Sequence, residues 1–273
     1  MFAFAVVCLL VLLYVLWLLY EPALVRWRRQ RVRRQPFPAA WRDILKLRVP
    51  LFRALPADLQ LQLKKHIQVF LAEKEFIGCR GLEITDEIRV TIAAQACLLL
   101  LNQRSSYYPE LRQILVYPGA FVVDRARVDY AGVHQERRDV LLGESWSHGQ
   151  VVLSWEDALE GAAIPDDGRN VVIHEFAHQL DQETGVANGA PLLARRSHYK
   201  RWARVMGAEY MQLRARARRH EETLLDPYGA TDPAEFFAVA SEAFLEQPLQ
   251  MAEQHPDLYA ELSRFYRINP LSW

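Results

Sequence analysis

Cysteine is scarce. Cys8, Cys79 and Cys97 are the only three in 273 residues, and their spacing matches neither a disulfide framework nor a cysteine-based metal site. A disulfide-stapled scaffold is therefore excluded, and a reducing compartment fits. Cys8 and Cys97 sit in apolar runs and read as small buried hydrophobes. Internal repeats are missing, as is low-complexity sequence beyond one arginine cluster, so a solenoid or a disordered tail is not expected. Acidic residues are nearly absent at the start. Glu21 is the only one before residue 36, while Arg26, Arg28, Arg29, Arg31, Arg33 and Arg34 fall within nine positions. Residues 36–273 then hold 27 bases against 32 acids, so no direct nucleic-acid partner is expected for the folded part.

Residues 2–20 lack charge altogether. As a helix rising about 1.5 Å per residue they nearly match a hydrocarbon core of roughly 30 Å. Tyr14, Trp17 and Tyr20 gather toward one end, as an interfacial aromatic belt does. Neither a basic leading segment nor a small-residue cleavage site marks a removable signal peptide. The expectation is a transmembrane anchor over residues 1–20, single-pass in the inner membrane, with the following domain facing the cytoplasm. The arginines then serve as stop-transfer and lipid-headgroup contacts. Residues 21–40, with Pro22, Pro36 and Pro38, are expected to form a linker rather than one continuous helix. Residues 41–273 remain as one folded domain.

Within that domain, Leu59, Leu63, Ile67, Phe70 and Leu71 recur at helical spacing. Thr85 begins a buried helix through "DEIRVTIAAQACLLLLN", with acids in its first turn. Between residues 112 and 155, "QILVYP", "AFVVD" and "GQVVLSW" are short β-rich runs parted by Gly, Pro and charge, which predicts a small sheet. Helices are predicted at about 169–183, 198–218, 233–247 and 256–267. The fold class is α+β, a small central sheet with helices on both sides in sequence.

"VVIHEFAHQLD", residues 171–181, carries the chemistry. On a helix, His174 and His178 share one face, and Glu175 sits beside the first. Two imidazoles on an otherwise apolar face need partners, a cost that a metal removes. A catalytic zinc takes three protein ligands and keeps one position open. The extended motif that ends in a third histidine needs Gly at 181 and His at 184; Asp181 and Thr184 exclude it. A carboxylate from "DPYGATDPAEFFAVASEAFLEQP", residues 226–248, is the alternative. Glu235 and Glu242 are seven apart on one helical face. Glu235 also suits the third helical position of a capping box behind Asp232 and Pro233. Spacing leaves both glutamates open.

"HEFAHQLD", "DPYGATDPAEFFAVASEAFLEQP" and "HPDLYAELSRFYRINP" occur here together with "IAAQACLLLLN", "ILVYPGAF" and "GESWSHGQVVLSW". In that combination the chain resembles the Mlc titration factor A family of zinc-dependent peptidases over roughly residues 36–270, but not over residues 1–30. The resemblance implies a zincin-like metallopeptidase fold with Zn2+ held by His174, His178 and Glu235. It also implies Tyr228, seven residues before that glutamate, as the oxyanion-stabilising group. Glu175 would be the general base, taking a proton from the activated water.

Further expectations attach to the surroundings. Asn170 and Asp181 are candidate partners of the ligand histidines. "GQVVLSW" is a candidate edge strand on which a peptide substrate adds, or an ordinary sheet strand. Residues 184–200 are a candidate lid with Gly185 and Gly189 as flexible points. His148 and His198 read as lone structural histidines. The expected function is a membrane-anchored, aminopeptidase-like zinc peptidase acting on a peptide or protein substrate. The alternative is a protein-binding module that sequesters a transcriptional repressor at the membrane.

Overall fold

Helix boundaries follow the capping chemistry of the chain in a computed structural model describing residues 2–103, 107–128, 134–141, 143–146 and 149–273. Helix α1 runs Phe2–Arg33, followed by α2 (Ala39–Arg48), α3 (Pro50–Ala54) and α4 (Ala57–Glu73). Strand β1 (Glu75–Gly78) precedes α5 (Asp86–Leu98), where Thr85 Oγ1 accepts the Ile88 amide as an N-cap. Strands β2 (Gln113–Tyr117), β3 (Phe121–Val128), β4 (His134–Leu141), β5 (Gly143–Trp146) and β6 (Gln150–Ser154) come next. Then follow α6 (Trp155–Ala163), α7 (Val171–Gln182), α8 (His198–Arg218), a 3-10 turn (Pro227–Ala230), α9 (Pro233–Glu246), α10 (Pro248–Gln254) and α11 (Pro256–Tyr266).

The sheet has the order β1-β2-β6-β5, with β1, β2 and β6 parallel and β5 antiparallel to β6. Strands β3 and β4 form a separate antiparallel pair. Of the two readings left open for "GQVVLSW", the ordinary sheet strand holds: β6 lies between β2 and β5, with Val151, Leu153 and Ser154 fully buried. Its continuous apolar run is the pattern of a strand covered on both faces. The sheet also begins earlier than residue 112, because Glu75–Gly78 pairs with Gln113–Val116.

Pro22 does not interrupt α1, which continues to Arg33 at the cost of one intrahelical bond. Pro36 and Pro38 do fall where the chain leaves the helix. Among the described residues, no helix is long and apolar enough to cross a membrane, so the expected transmembrane helix has no support there. Two of the six arginines, Arg29 and Arg33, are engaged within the fold. Arg29 makes a bidentate pair with Glu73 at 2.7 and 2.9 Å and lies 4.7 Å over the Tyr107 ring. Arg33 donates to the Tyr107 hydroxyl, and Tyr107 lies 2.8 Å from buried His66 Nδ1. Burial and the Arg33 charge lower the His66 pKa to about 4, so its ring is neutral and accepts from Tyr107.

The core positions the functional helix. Phe176 of α7 is fully buried against Tyr108 (centroids 4.9 Å) and Phe70 (5.6 Å). Burying such a ring contributes about 1.5–3 kcal/mol and pins α7 rotationally. Phe237 and Phe244 do the same for α9 against Trp202, Tyr259 and Tyr266.

Candidate metal centre

Helix α7 starts where Asn170 accepts the Ile173 amide at 3.0 Å. From that start, positions 174 and 178 face away from the core that holds Val172, Ile173, Phe176 and Ala177. The His174 and His178 rings stand 4.9 Å apart. Glu175 is only 5% exposed and His178 8%.

Helix α9 starts at Asp232, whose Oδ1 accepts the amides of Ala234 and Glu235 at 2.9 and 3.0 Å, with Pro233 at the first helical position. The backbone of Glu235 is thus capped as its sequence position suggests. Its side chain does not reach back to complete a capping box. It turns to the histidines instead, with Oε2 at 2.9 Å from His174 Nε2 and 3.3 Å from His178 Nε2. All three donor atoms lie within 4.8 Å of one another. A tetrahedral ion with bonds of about 2.0–2.1 Å needs ligand atoms roughly 3.3 Å apart, so this donor set fits such an ion. The remote carboxylate that belongs to the group is Glu235, not Glu242.

Glu242 has a different place. Its Oε1 accepts from His174 Nδ1 at 2.7 Å, and its Oε2 accepts the Asn170 amide at 2.6 Å. The bond fixes the ring so that Nε2, the nitrogen facing Glu235, keeps its lone pair for a metal. Neither Asn170 nor Asp181 bonds a ligand histidine in the described contacts. Asn170 acts one step removed, holding Glu242 with its amide and Glu246 with its side chain at 2.9 Å. Burial opposes a charge on His174, but the bonds to Glu235 and Glu242 overcome it and hold the imidazole well above its usual pKa. Burial likewise opposes the charge on Glu235, and its bonds to both histidines outweigh it and keep the carboxyl well below the usual range. A cation serves the same purpose as those protons, satisfying two imidazoles and a carboxylate at once.

Glu246 was not anticipated. Burial first, and then the neighbouring Glu242, raise its pKa from 4.5 to about 8, with the Asn170 side chain opposing. A raised carboxyl pKa makes folding favourable below 4.5 and removes that contribution as pH rises through 8. Metal-free protein is therefore expected to lose stability between those limits, with a slope from this group of up to about 1.4 kcal/mol per pH unit. Urea unfolding at a series of pH values should show a flatter curve for Glu246→Gln. Parallel curves would show that Glu246 ionises normally.

Tyr228 stands at the mouth, 54% exposed, its ring centroid 6.0 Å from that of His174. Asp226 sets the turn that carries it, accepting the Tyr228 amide at 2.9 Å and pairing with Arg169 at 3.1 Å. On the other flank, Asp181 Oδ2 accepts the Gly189 amide at 2.6 Å and the Trp202 indole donates to the Gly189 carbonyl at 2.8 Å. Gly189 has φ +75°, and a Cβ there would meet Pro233 O at 2.3 Å. Gly189 is therefore a packed junction between α7, α8 and α9 and no hinge, which corrects the expectation. Gly185 stands at φ +92°, with open space where a Cβ would sit. His198 opens α8 and is not in the His/His/Glu group; His148 lies outside the described residues.

Comparison with known proteins agrees with this geometry. Residues 24–267 match the family described as glucose-regulated metallo-peptidase M90. An uncharacterized protein of Synechocystis sp. is 42% identical over 251 residues, covering 92% of this chain and 91% of the relative. Proteins named Mlc titration factor A are also similar. The one from Escherichia fergusonii is 33% identical over 248 residues (90% of this chain, 91% of the relative), and that from Klebsiella pneumoniae subsp. pneumoniae 34% over 229 residues (83% and 85%). With a matched region that includes the whole of α7 and α9, and with Mlc titration factor A proteins among its relatives, this chain belongs to the glucose-regulated M90 metallopeptidase family.

Proposed function

We propose that the chain is a zinc-dependent peptidase that hydrolyses short peptides in an aminopeptidase-like manner. The observation that carries this is the convergence of His174, His178 and Glu235 within 4.8 Å, with buried Glu175 next to the first histidine. Two imidazoles and one carboxylate are the donor set of many catalytic zinc sites. When bound, zinc supplies Lewis acidity and makes a coordinated water acidic near neutral pH. Glu175 takes a proton from the attacking water and returns it to the departing amine. The Tyr228 hydroxyl donates to the substrate oxygen on which negative charge develops. Glu242 holds the His174 ring in register throughout. Strand β5 packs beside α7 and, among the described residues, has no strand on its outer side, so an extended substrate adds there rather than to β6.

We further propose that residues 1–20 anchor the chain in the inner membrane with the domain on its cytoplasmic side; the lack of charge over residues 2–20 and the arginines that follow support this, against the finding that no helix of the described residues is long and apolar enough to cross a membrane. A second reading is a protein-binding module that sequesters a transcriptional repressor at the membrane; the relatives' names support only the titration of a partner. Metal content and peptide hydrolysis of the purified chain test the first. About one zinc per chain is expected, lost from Glu235→Gln, with Glu242→Gln weakening affinity about 10–100-fold as an outer partner does. Zinc retained by Glu235→Gln and lost from Glu242→Gln would reverse the two roles. No zinc and no hydrolysis in the parent would leave only the binding module.

A further inference from the structure

A second site lies outside the metal centre, where α1 meets the domain. A cleft of about 530 Å³ opens between the part of α1 after Tyr20 and the segment leading into β2. Arg26, Arg29, Lys74 and Arg112 line it, against only Glu21 and Glu73. Arg29 and Glu73 satisfy each other. Lys74 Nζ donates to the carbonyls of Tyr108 and Leu111 at 2.7 and 2.6 Å, which leaves one of its three protons. Arg26 and Arg112 have no ion pair among the described residues, and they approach the cleft from separate elements. Four cations therefore converge on a concave surface holding two carboxylates, an excess of two positive charges.

That excess has a cost within the fold. The Lys74 pKa is lowered to about 8, by burial first and then, against the help of Glu73, by Arg29 and Arg112. A small dianion in the cleft relieves this repulsion and gives the planar guanidinium forks of the two arginines several anionic oxygens to bond in pairs. Helix α1 is tied to α4 by the Arg29–Glu73 pair and to the segment before β2 by the Arg33–Tyr107 bond, so the walls of the cleft are held without a ligand.

We propose that this cleft binds a phosphate group carried on a small ester, with Arg26 and Arg112 as its principal donors. Two sources share that chemistry, a lipid headgroup and a soluble phosphate ester. Position favours neither by itself: Glu21, on the rim, directly follows the uncharged stretch that ends at Tyr20.

Calorimetric titration of the full chain with sn-glycerol 3-phosphate, beside flotation with phosphatidylcholine vesicles with and without phosphatidic acid, tests this. Saturable binding is expected, weakened about tenfold or more by Arg112→Gln and by Arg26→Gln, each removing a charged donor. Arg34→Gln lowers the charge equally but lies outside the cleft, and should change binding by less than about twofold. Equal binding of the soluble ester and the acidic vesicles identifies a soluble source, and dependence on phosphatidic acid vesicles identifies a headgroup. Arg112 is exposed, so its variant should melt with the parent, and Arg26→Gln on the opposite wall provides an independent check. Equal losses in all three variants would reduce the effect to diffuse charge and overturn the site, as would failure of every phosphate-bearing probe to bind.

Discussion

Glu175→Gln should lower peptide hydrolysis by about 10²–10⁴-fold while metal content stays at the parent's level. The carboxylate is buried beside the metal-binding face but is not one of the three clustered donors. Glutamine keeps its volume and hydrogen-bonding reach, so packing around α7 is preserved. An amide cannot accept a proton near neutral pH, and that single property is what the substitution removes. The loss should therefore appear in kcat with little change in KM. The same variant separates the two functional readings, because capture of a protein partner does not need a base. Hydrolysis that survives in Glu175→Gln at more than about a tenth of the parental rate would remove this residue from its role.

Gly189→Ala should destabilise the protein by roughly 3 kcal/mol and loosen its hold on metal, although residue 189 touches no donor atom. Two costs combine. A left-handed backbone at φ +75° costs a non-glycine residue about 1 kcal/mol or more. The added methyl must also displace Pro233 O, built only 2.3 Å away and two residues before Glu235. Helix α9 starts at that proline, so the displacement is passed to the one ligand that α7 does not carry. Gly185→Ala is the control. It has a similar backbone, φ +92°, but open space, and should cost only about 1 kcal/mol with metal affinity unchanged. Melting temperature and a chelator competition, read on both variants, check the difference. Equal effects at the two positions would confine the Gly189 penalty to backbone strain.

What could be read from the chain divides by the distance between interacting residues. Helices α7, α8, α9 and α11 lie within about two residues of their expected limits, because apolar period and caps such as Asn170 and Asp232 are local signals. The pairing of His174 with His178 is local in the same way. Spacing did not separate Glu235 from Glu242, since seven residues put both on one face; only the docking of α9 against α7 sends one to Nε2 of His174 and the other to Nδ1. The resemblance named Glu235, the carboxylate that lies with the two histidines, but the bond from His174 to Glu242 was not foreseen. Strand order is equally remote: β6 joins β2 37 residues away in sequence, and no turn signal reports it. A signal was present nonetheless, in the unalternating "VVL" of β6, which indicates a strand buried on both faces. Pro22 misled for a physical reason too, since a single lost bond is tolerated within a helix of 32 residues.

The His/His/Glu group also constrains how the protein reaches its native state. His174 and His178 come together as soon as one helical turn forms, but Glu235 is 61 residues from His174 along the chain. An unfolded chain therefore offers a metal two ligands at most from this group, and the third arrives only once α9 has packed on α7. Metal cannot seed folding here as it does in small zinc domains; it selects the finished structure. Refolding rates should be indifferent to zinc, and unfolding rates should fall as zinc rises.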